Sequence, residues 1–155
     1  MTLANLLKIG RLKSHASNTA EIRRLLAAAA RNLADARVAA VSDETRFDAA
    51  YKTIMQLALA AMLASGYRPS TSEPGHHQTL IQSLPLTIGL ANDAWVVIDA
   101  LRRKRNASDY LGDSVEAEAL AECVRQADYL YVAVETWLRE RHPGMLDENR
   151  KKGMT

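Results

Sequence analysis

Apolar residues recur every three or four positions along two adjoining stretches of this chain, which is the spacing of one face of an α-helix. The first stretch contains Ile22, Leu25, Leu26, Ala29, Leu33, Ala36 and Ala40, and the second contains Phe47, Tyr51, Ile54, Met55, Ala58 and Met62. Between them, Ser42 followed by two acidic residues is typical of a helix N-cap. The spacing therefore predicts two long helices, one from Asn18 or Thr19 to Val41 and one from Ser42 to Gly66, packed as an antiparallel hairpin.

The segment after this hairpin predicts a loop and then a short helix. Residues 67–75 contain several turn formers, and a loop of this length often carries function. A helix is expected over residues 76–83, interrupted by Pro85.

A further helix is predicted over residues 92–104. The apolar run 95–98 would also suit a buried strand, but Asn92 at a capping position and the basic end of the segment favour a helix. Residues 106–113, which are small and polar, are expected to break it.

The last long helix is predicted to begin at Asp113 or Ser114 and to end near Arg141, before a proline and a glycine. Its apolar surface is wide, because Cys123, Leu130 and Trp137 flank its main stripe. A helix that is apolar on so many sides lies at the centre of a bundle or at a dimer interface.

These patterns predict an all-α protein, an up-down bundle of four to five helices. A chain of 155 residues fits one domain, which we place at 19–141 between an N-terminal arm (1–18) and a flexible polar tail (142–155). Charges interrupt every apolar stretch before it reaches membrane-spanning length, so no membrane association is expected. The single cysteine, Cys123, is expected to be a small buried residue in a protein of the reducing cytoplasm.

The sequence lacks a glycine-rich phosphate loop, a serine nucleophile elbow and paired catalytic carboxylates, which argues against a conventional kinase or hydrolase. His76 and His77 are adjacent, so on a helix they point about 100° apart and are poorly placed to share a metal ion. We therefore expect no metal and no cofactor. The two histidines remain a candidate loop site, with one packing or capping and the other facing water.

Four consecutive cations stand out, at Arg102, Arg103, Lys104 and Arg105, followed by Asn106 and, after a short polar stretch, Tyr110. The run is typical of a helix C-terminus, where cations interact favourably with the helix dipole. It is equally typical of a phosphodiester-binding corner, because arginine presents donors that match phosphate oxygens.

The order of these features resembles the HEPN superfamily of helical bundles from prokaryotic toxin–antitoxin and phage-defence systems. The resemblance rests on the hairpin with its Arg-Phe-Asp-Ala-Ala-Tyr stretch (46–51), the loop ending in Gly75-His76-His77, and the helix ending in Arg105-Asn106 with Tyr110 before another long helix. It covers roughly residues 19–141. It implies RNA as a target and a homodimer in which two arginine corners face a shared cleft.

In active members of that superfamily, which look like metal-independent endoribonucleases, a histidine follows the arginine after four to six residues. Arg105 matches the arginine, but Tyr110 stands where the histidine is expected, and a phenol with a pKa of about 10 is a poor general base. The resemblance makes Arg105, Asn106 and Tyr110 the candidate catalytic residues, and Arg102 to Arg105 the candidate nucleic-acid contacts. Slow RNA cleavage and non-nucleolytic binding both stay open, and we favour binding.

Two further hypotheses come from other classes. In one, the protein is a non-catalytic module that pairs with a partner such as a nucleotidyltransferase or an antitoxin, through the acidic face or the apolar stripe of the last helix. In the other, it is a small-ligand binder with a pocket near Trp95 and Tyr51.

Overall fold

The computed structural model describes residues 1–71 and 75–146, and in this part the chain is helical apart from one two-stranded sheet. The elements are α1 (Leu3–Lys8), β1 (Leu12–Ser14), α2 (Thr19–Ala36), α3 (Asp43–Ala64), β2 (Tyr67–Pro69), α4 (His76–Gln82), α5 (Leu84–Thr87), α6 (Asn92–Leu111), α7 (Ala117–Arg141) and a 3₁₀ turn (Pro143–Met145). The predicted all-α class is confirmed.

The helical hairpin is confirmed, and its helices are capped by Asn18, one of the two residues expected at the start of the first helix, and by Ser42, as predicted. The side chain of Asn18 accepts a hydrogen bond from the backbone N–H of Glu21 at 2.9 Å, and that of Ser42 accepts one from Thr45 at 3.2 Å. The first helix ends at Ala36, earlier than predicted. Its end is stabilised from the other helix, because Arg46 Nε donates to the carbonyl oxygen of Ala36 at 2.8 Å.

Helix α3 is the centre of the bundle, with α2 on one side and α7 on another. Its fully buried alanines, among them Ala50 and Ala60, let neighbouring helices approach closely. The buried face of α7 contains Cys123, Ala127, Leu130, Val134 and Leu138. Cys123 is completely buried, as predicted, and burial raises the pKa of its thiol to about 12.

The helix predicted from residue 92 is confirmed as α6, but the prediction that residues 106–113 break it is wrong. The helix continues to Leu111 and ends at Gly112, which has a φ of 72° in the left-handed region. No glycine or proline precedes Gly112 in this stretch, and an ion pair between Arg105 and Asp109 spans one turn at 3.0 Å. The following helix begins at Ala117, after both of its predicted caps.

The sheet was not predicted, since its second strand, β2, lies in the expected loop. The strands are antiparallel, with Leu12 opposite Pro69 and Lys13 opposite Arg68. Leu12 is almost completely buried, so β1 is attached to the bundle by packing as well as by hydrogen bonds. The predicted flexible tail begins with the 3₁₀ turn, and residues 147–155 lie outside the described part of the chain. In the described part, no helix combines the length and the apolar character that a membrane crossing requires.

Candidate functional site around Arg105

The four cations of α6 all lie beside carboxylates. Buried Asp99 accepts hydrogen bonds from Arg102 Nε at 3.1 Å and from Arg103 Nη2 at 2.8 Å. Lys104 Nζ lies 3.9 Å from a carboxylate oxygen of Glu116. Much of the positive charge that the sequence places here is therefore neutralised within the protein, and Arg102, whose side chain is only 16% exposed, braces the helix.

Arg105 extends from α6 to α3. Its Nε lies 3.3 Å from Asp48 Oδ1 and 3.0 Å from Asp109 Oδ2, and its guanidinium carbon lies 5.3 Å from the ring centroid of Tyr51. This is the geometry of a cation–π contact. Both carboxylates are approached through Nε, and the two terminal nitrogens make no hydrogen bond within residues 1–71 and 75–146. The side chain of Arg105 is 26% exposed, so part of it faces solvent.

Tyr51 lies under the guanidinium of Arg105 and is 2% exposed. Its hydroxyl has no hydrogen-bond partner in the described part of the protein. Burial raises the pKa of Tyr51 to about 12, against the opposing effect of the charges on Arg105 and Arg102. The phenol is therefore neutral at every physiological pH and holds an unused donor beside the arginine.

His77 reaches the same place from α4. Its ring centroid lies 6.3 Å from that of Tyr51, and the His76 ring packs edge-on against it at 4.6 Å. The pKa of His77 is lowered, first by burial and then by the charges of His76 and Arg105. An imidazole that stays neutral near pH 7 can accept a proton. His77 is half-buried, whereas His76 is exposed.

Tyr110 is not brought to Arg105. Residues five positions apart on an α-helix point about 140° apart, and Tyr110 is 83% exposed. The residue that contacts Arg105 along the helix is Asp109 instead. Asn106 is half-buried on the same helix. The candidate triplet Arg105, Asn106 and Tyr110 therefore does not form one cluster, whereas Arg105, Tyr51 and His77 do.

The partners of Arg105 were visible in the sequence only indirectly. Asp48 and Tyr51 are three residues apart in the stretch that carried the resemblance, a spacing that places both on one helical face. The sequence pattern assigned Tyr51 to the core and Asp48 to the surface, and Asp99 gave no signal, because its role depends on the fold.

Within residues 1–71 and 75–146, no three side chains of histidine, cysteine, aspartate or glutamate are grouped so as to hold a metal ion. No model of a known protein family matches the sequence, and no curated protein matches it.

Proposed function

We propose that this chain is a HEPN-like helical protein of a toxin–antitoxin or defence-type module, and that it binds RNA at the cluster of Arg105, Tyr51 and His77. The supporting observation is that the guanidinium of Arg105 and the imidazole of His77 both lie against the ring of Tyr51. In the described part of the chain the terminal nitrogens of Arg105 make no hydrogen bond, and the lowered pKa of His77 keeps its imidazole neutral near pH 7. Arginine is suited to holding a phosphodiester, and a neutral histidine is suited to moving the proton of a 2′-hydroxyl.

The same geometry argues for weak cleavage or none. A phosphate bound by Arg105 must compete with Asp48 and Asp109, which already approach its Nε. Like charges repel, so these carboxylates also oppose the approach of a polyanion. The side chains of Arg103 and Lys104 are 72% and 52% exposed, and we assign them to contacts with phosphates at the edge of the Arg105 cluster. The protein is therefore proposed as an RNA binder that cleaves slowly at most.

A homodimer is part of this proposal. Tyr110 and Leu111 are 83% and 75% exposed in the last turn of α6, five and six residues after Arg105. A second copy that covered these apolar side chains would place two such clusters on one cleft. In this arrangement Tyr110 contributes to the interface and not to proton transfer.

A second candidate function is a non-catalytic module that pairs with a partner such as a nucleotidyltransferase or an antitoxin. It is favoured by the outer face of α7, where Tyr129 and Val132 are 54% and 66% exposed. The acidic residues of that helix favour it less, because Glu122, Asp128 and Glu135 are already paired with arginines of the chain.

The test is binding and cleavage of a labelled RNA pool in chelator, with wild type, Arg105→Ala, His77→Ala and Tyr110→Phe. Wild type is expected to bind with an affinity that falls steeply with salt, and Arg105→Ala to lose about tenfold or more, as expected when one charged phosphate contact is removed. Lys8→Ala removes an exposed cation far from the cluster and is the matched control.

Cleavage, if it occurs, is expected to disappear in both Arg105→Ala and His77→Ala and to persist in Tyr110→Phe. An Arg105→Ala protein that binds RNA as tightly as wild type would contradict the proposal.

A further inference from the structure

Two clefts adjoin on the outer surface of α2 and α3, and we call them together the leucine groove. The clefts have volumes of about 630 and 420 Å³ and share Leu59 and Leu63. The other aliphatic side chains of the lining are Leu25, Ala27 and Ala28 on α2, Met55 on α3, and Leu80 on α4. Within residues 1–71 and 75–146, the groove therefore leaves apolar surface uncovered.

Its rim is basic. Arg24 and Arg31 lie along α2, seven residues apart and hence on one face, and Arg68 lies on β2 at the other side. In the part of the chain that the structure describes, none of these three arginines forms an ion pair. The carboxylate that lines the groove, Glu21, is bonded to His15 at 2.7 Å. This contrasts with α6, where the cations are beside carboxylates.

The lining distinguishes between two classes of partner. Single-stranded nucleic acids stack their bases on aromatic rings. Among the described residues, the aromatic rings that line this groove are the imidazoles of His15, His76 and His77, with no ring of Phe, Tyr or Trp. A floor of leucines with arginines along its edges instead suits a helix that presents an apolar stripe flanked by acidic residues.

No described helix of this chain is available as such a partner. In the acidic helix, α7, Glu122, Asp128 and Glu135 form ion pairs with arginines of the same chain. The terminal sequence 147–155 contains three cations and two acidic residues, so its charge has the same sign as that of the groove rim. The charge pattern therefore points to another protein.

We propose that the leucine groove docks an acidic amphipathic helix of a partner protein. His76 and His77 line one end of the groove, and His77 also belongs to the Arg105 cluster. A helix docked along the full groove covers these histidines, so partner binding and RNA binding should be mutually exclusive. The docking itself does not depend on the proposed RNA function; only this competition does.

The test uses three synthetic helix-forming peptides that share one leucine stripe at helical spacing and carry glutamate, glutamine or lysine beside it. Binding is followed on the full chain by the methyl NMR signals of its leucines. The glutamate peptide is expected to shift the signals of Leu25, Leu59 and Leu63 and to bind about tenfold or more tightly than the lysine peptide, in the manner of electrostatically complementary interfaces.

Arg24→Glu combined with Arg31→Glu should reverse this preference. Both positions are exposed, so the fold should persist, and Lys8→Glu with Arg141→Glu is the control of equal charge change, at exposed cations outside the residues that line the groove. Three results would overturn the proposal: no shift with any peptide, equal binding of the glutamate and lysine peptides, or shifts of the same leucines by a single-stranded RNA but not by the glutamate peptide. If the peptide binds and RNA does not bind at all, the docking stands and the RNA proposal fails. If peptide and RNA bind at the same time, the docking stands and the mutual exclusion is wrong.

Discussion

Replacing Tyr51 by phenylalanine should make the protein more stable, although it removes a polar group from the core and leaves the ring in place. The hydroxyl of Tyr51 is buried and has no hydrogen-bond partner in the described part of the chain. A buried unsatisfied hydroxyl costs about 1–3 kcal/mol. The small void left when the oxygen is removed destabilises the protein and cancels part of this gain. We expect a net gain of about 1 kcal/mol in the free energy of unfolding, or about 2–4 °C in Tm for a chain of this size.

The assay is thermal and urea unfolding of wild type, Tyr51→Phe, Tyr51→Leu and Tyr129→Phe. Tyr129 is 54% exposed, so removing its hydroxyl should change little, and this variant is the matched control. Tyr51→Leu loses the ring under the guanidinium of Arg105 and should be destabilised by at least about 1 kcal/mol.

The same variants separate two roles of Tyr51 in the proposed RNA site. If the ring face only positions Arg105, Tyr51→Phe should keep the RNA affinity of wild type, and Tyr51→Leu should lower it. The reasoning is refuted if Tyr51→Phe unfolds at a lower temperature than wild type, because its hydroxyl must then make a hydrogen bond that stabilises the fold.

Three other outcomes are expected. Asp99→Ala should lower the free energy of unfolding by about 3 kcal/mol, because Arg102, whose side chain is 16% exposed, loses its carboxylate. Urea unfolding checks this, with Asp93→Ala at an exposed position of the same helix as the control. The lowered pKa of His77 means that the unfolded chain binds a proton more readily than the folded one, so the free energy of unfolding should fall as the pH drops below 6.5. Unfolding curves measured across pH should show a smaller fall for His77→Gln. Gly112→Ala should destabilise by about 1 kcal/mol, since an L side chain is strained at a positive φ, and thermal unfolding should show a larger loss than for Gly144→Ala, where φ is not positive.

The features that were predicted correctly are those that depend on residues close together in the sequence. Ser42 was recognised as a cap, and the start of the first helix was narrowed to Asn18 or Thr19, because a cap bonds to an N–H two or three residues away. The end of α6 was misplaced because small polar residues were taken as a break, whereas in the fold an ion pair and the packing of Arg105 on α3 keep the helix regular up to Gly112. The strand Tyr67–Pro69 was missed because its partner lies in a distant part of the sequence.

The candidate site followed the same rule. Arg105 and His77 were each identified from their local sequence, but nothing in that sequence indicated that α4 and α6 bring them to one tyrosine. The carboxylates that neutralise the basic run lie one turn away, as with Asp99, or on another helix, as with Asp48. Charge counted along the chain therefore overestimated the cationic character of this corner. It also gave no indication of the arginines beside the leucine groove, which form no ion pair within residues 1–71 and 75–146.

The pairing of Leu12–Ser14 with Tyr67–Pro69 also sets an order of events during synthesis of the protein. The first strand leaves the ribosome long before the second, and at cellular rates of translation the delay is on the order of several seconds. The α2–α3 hairpin lies between the two strands in the chain and needs only local contacts, so it can form within that time. The sheet then closes over a hairpin that is already folded, and the buried side chain of Leu12 remains exposed to solvent and to other chains until it does.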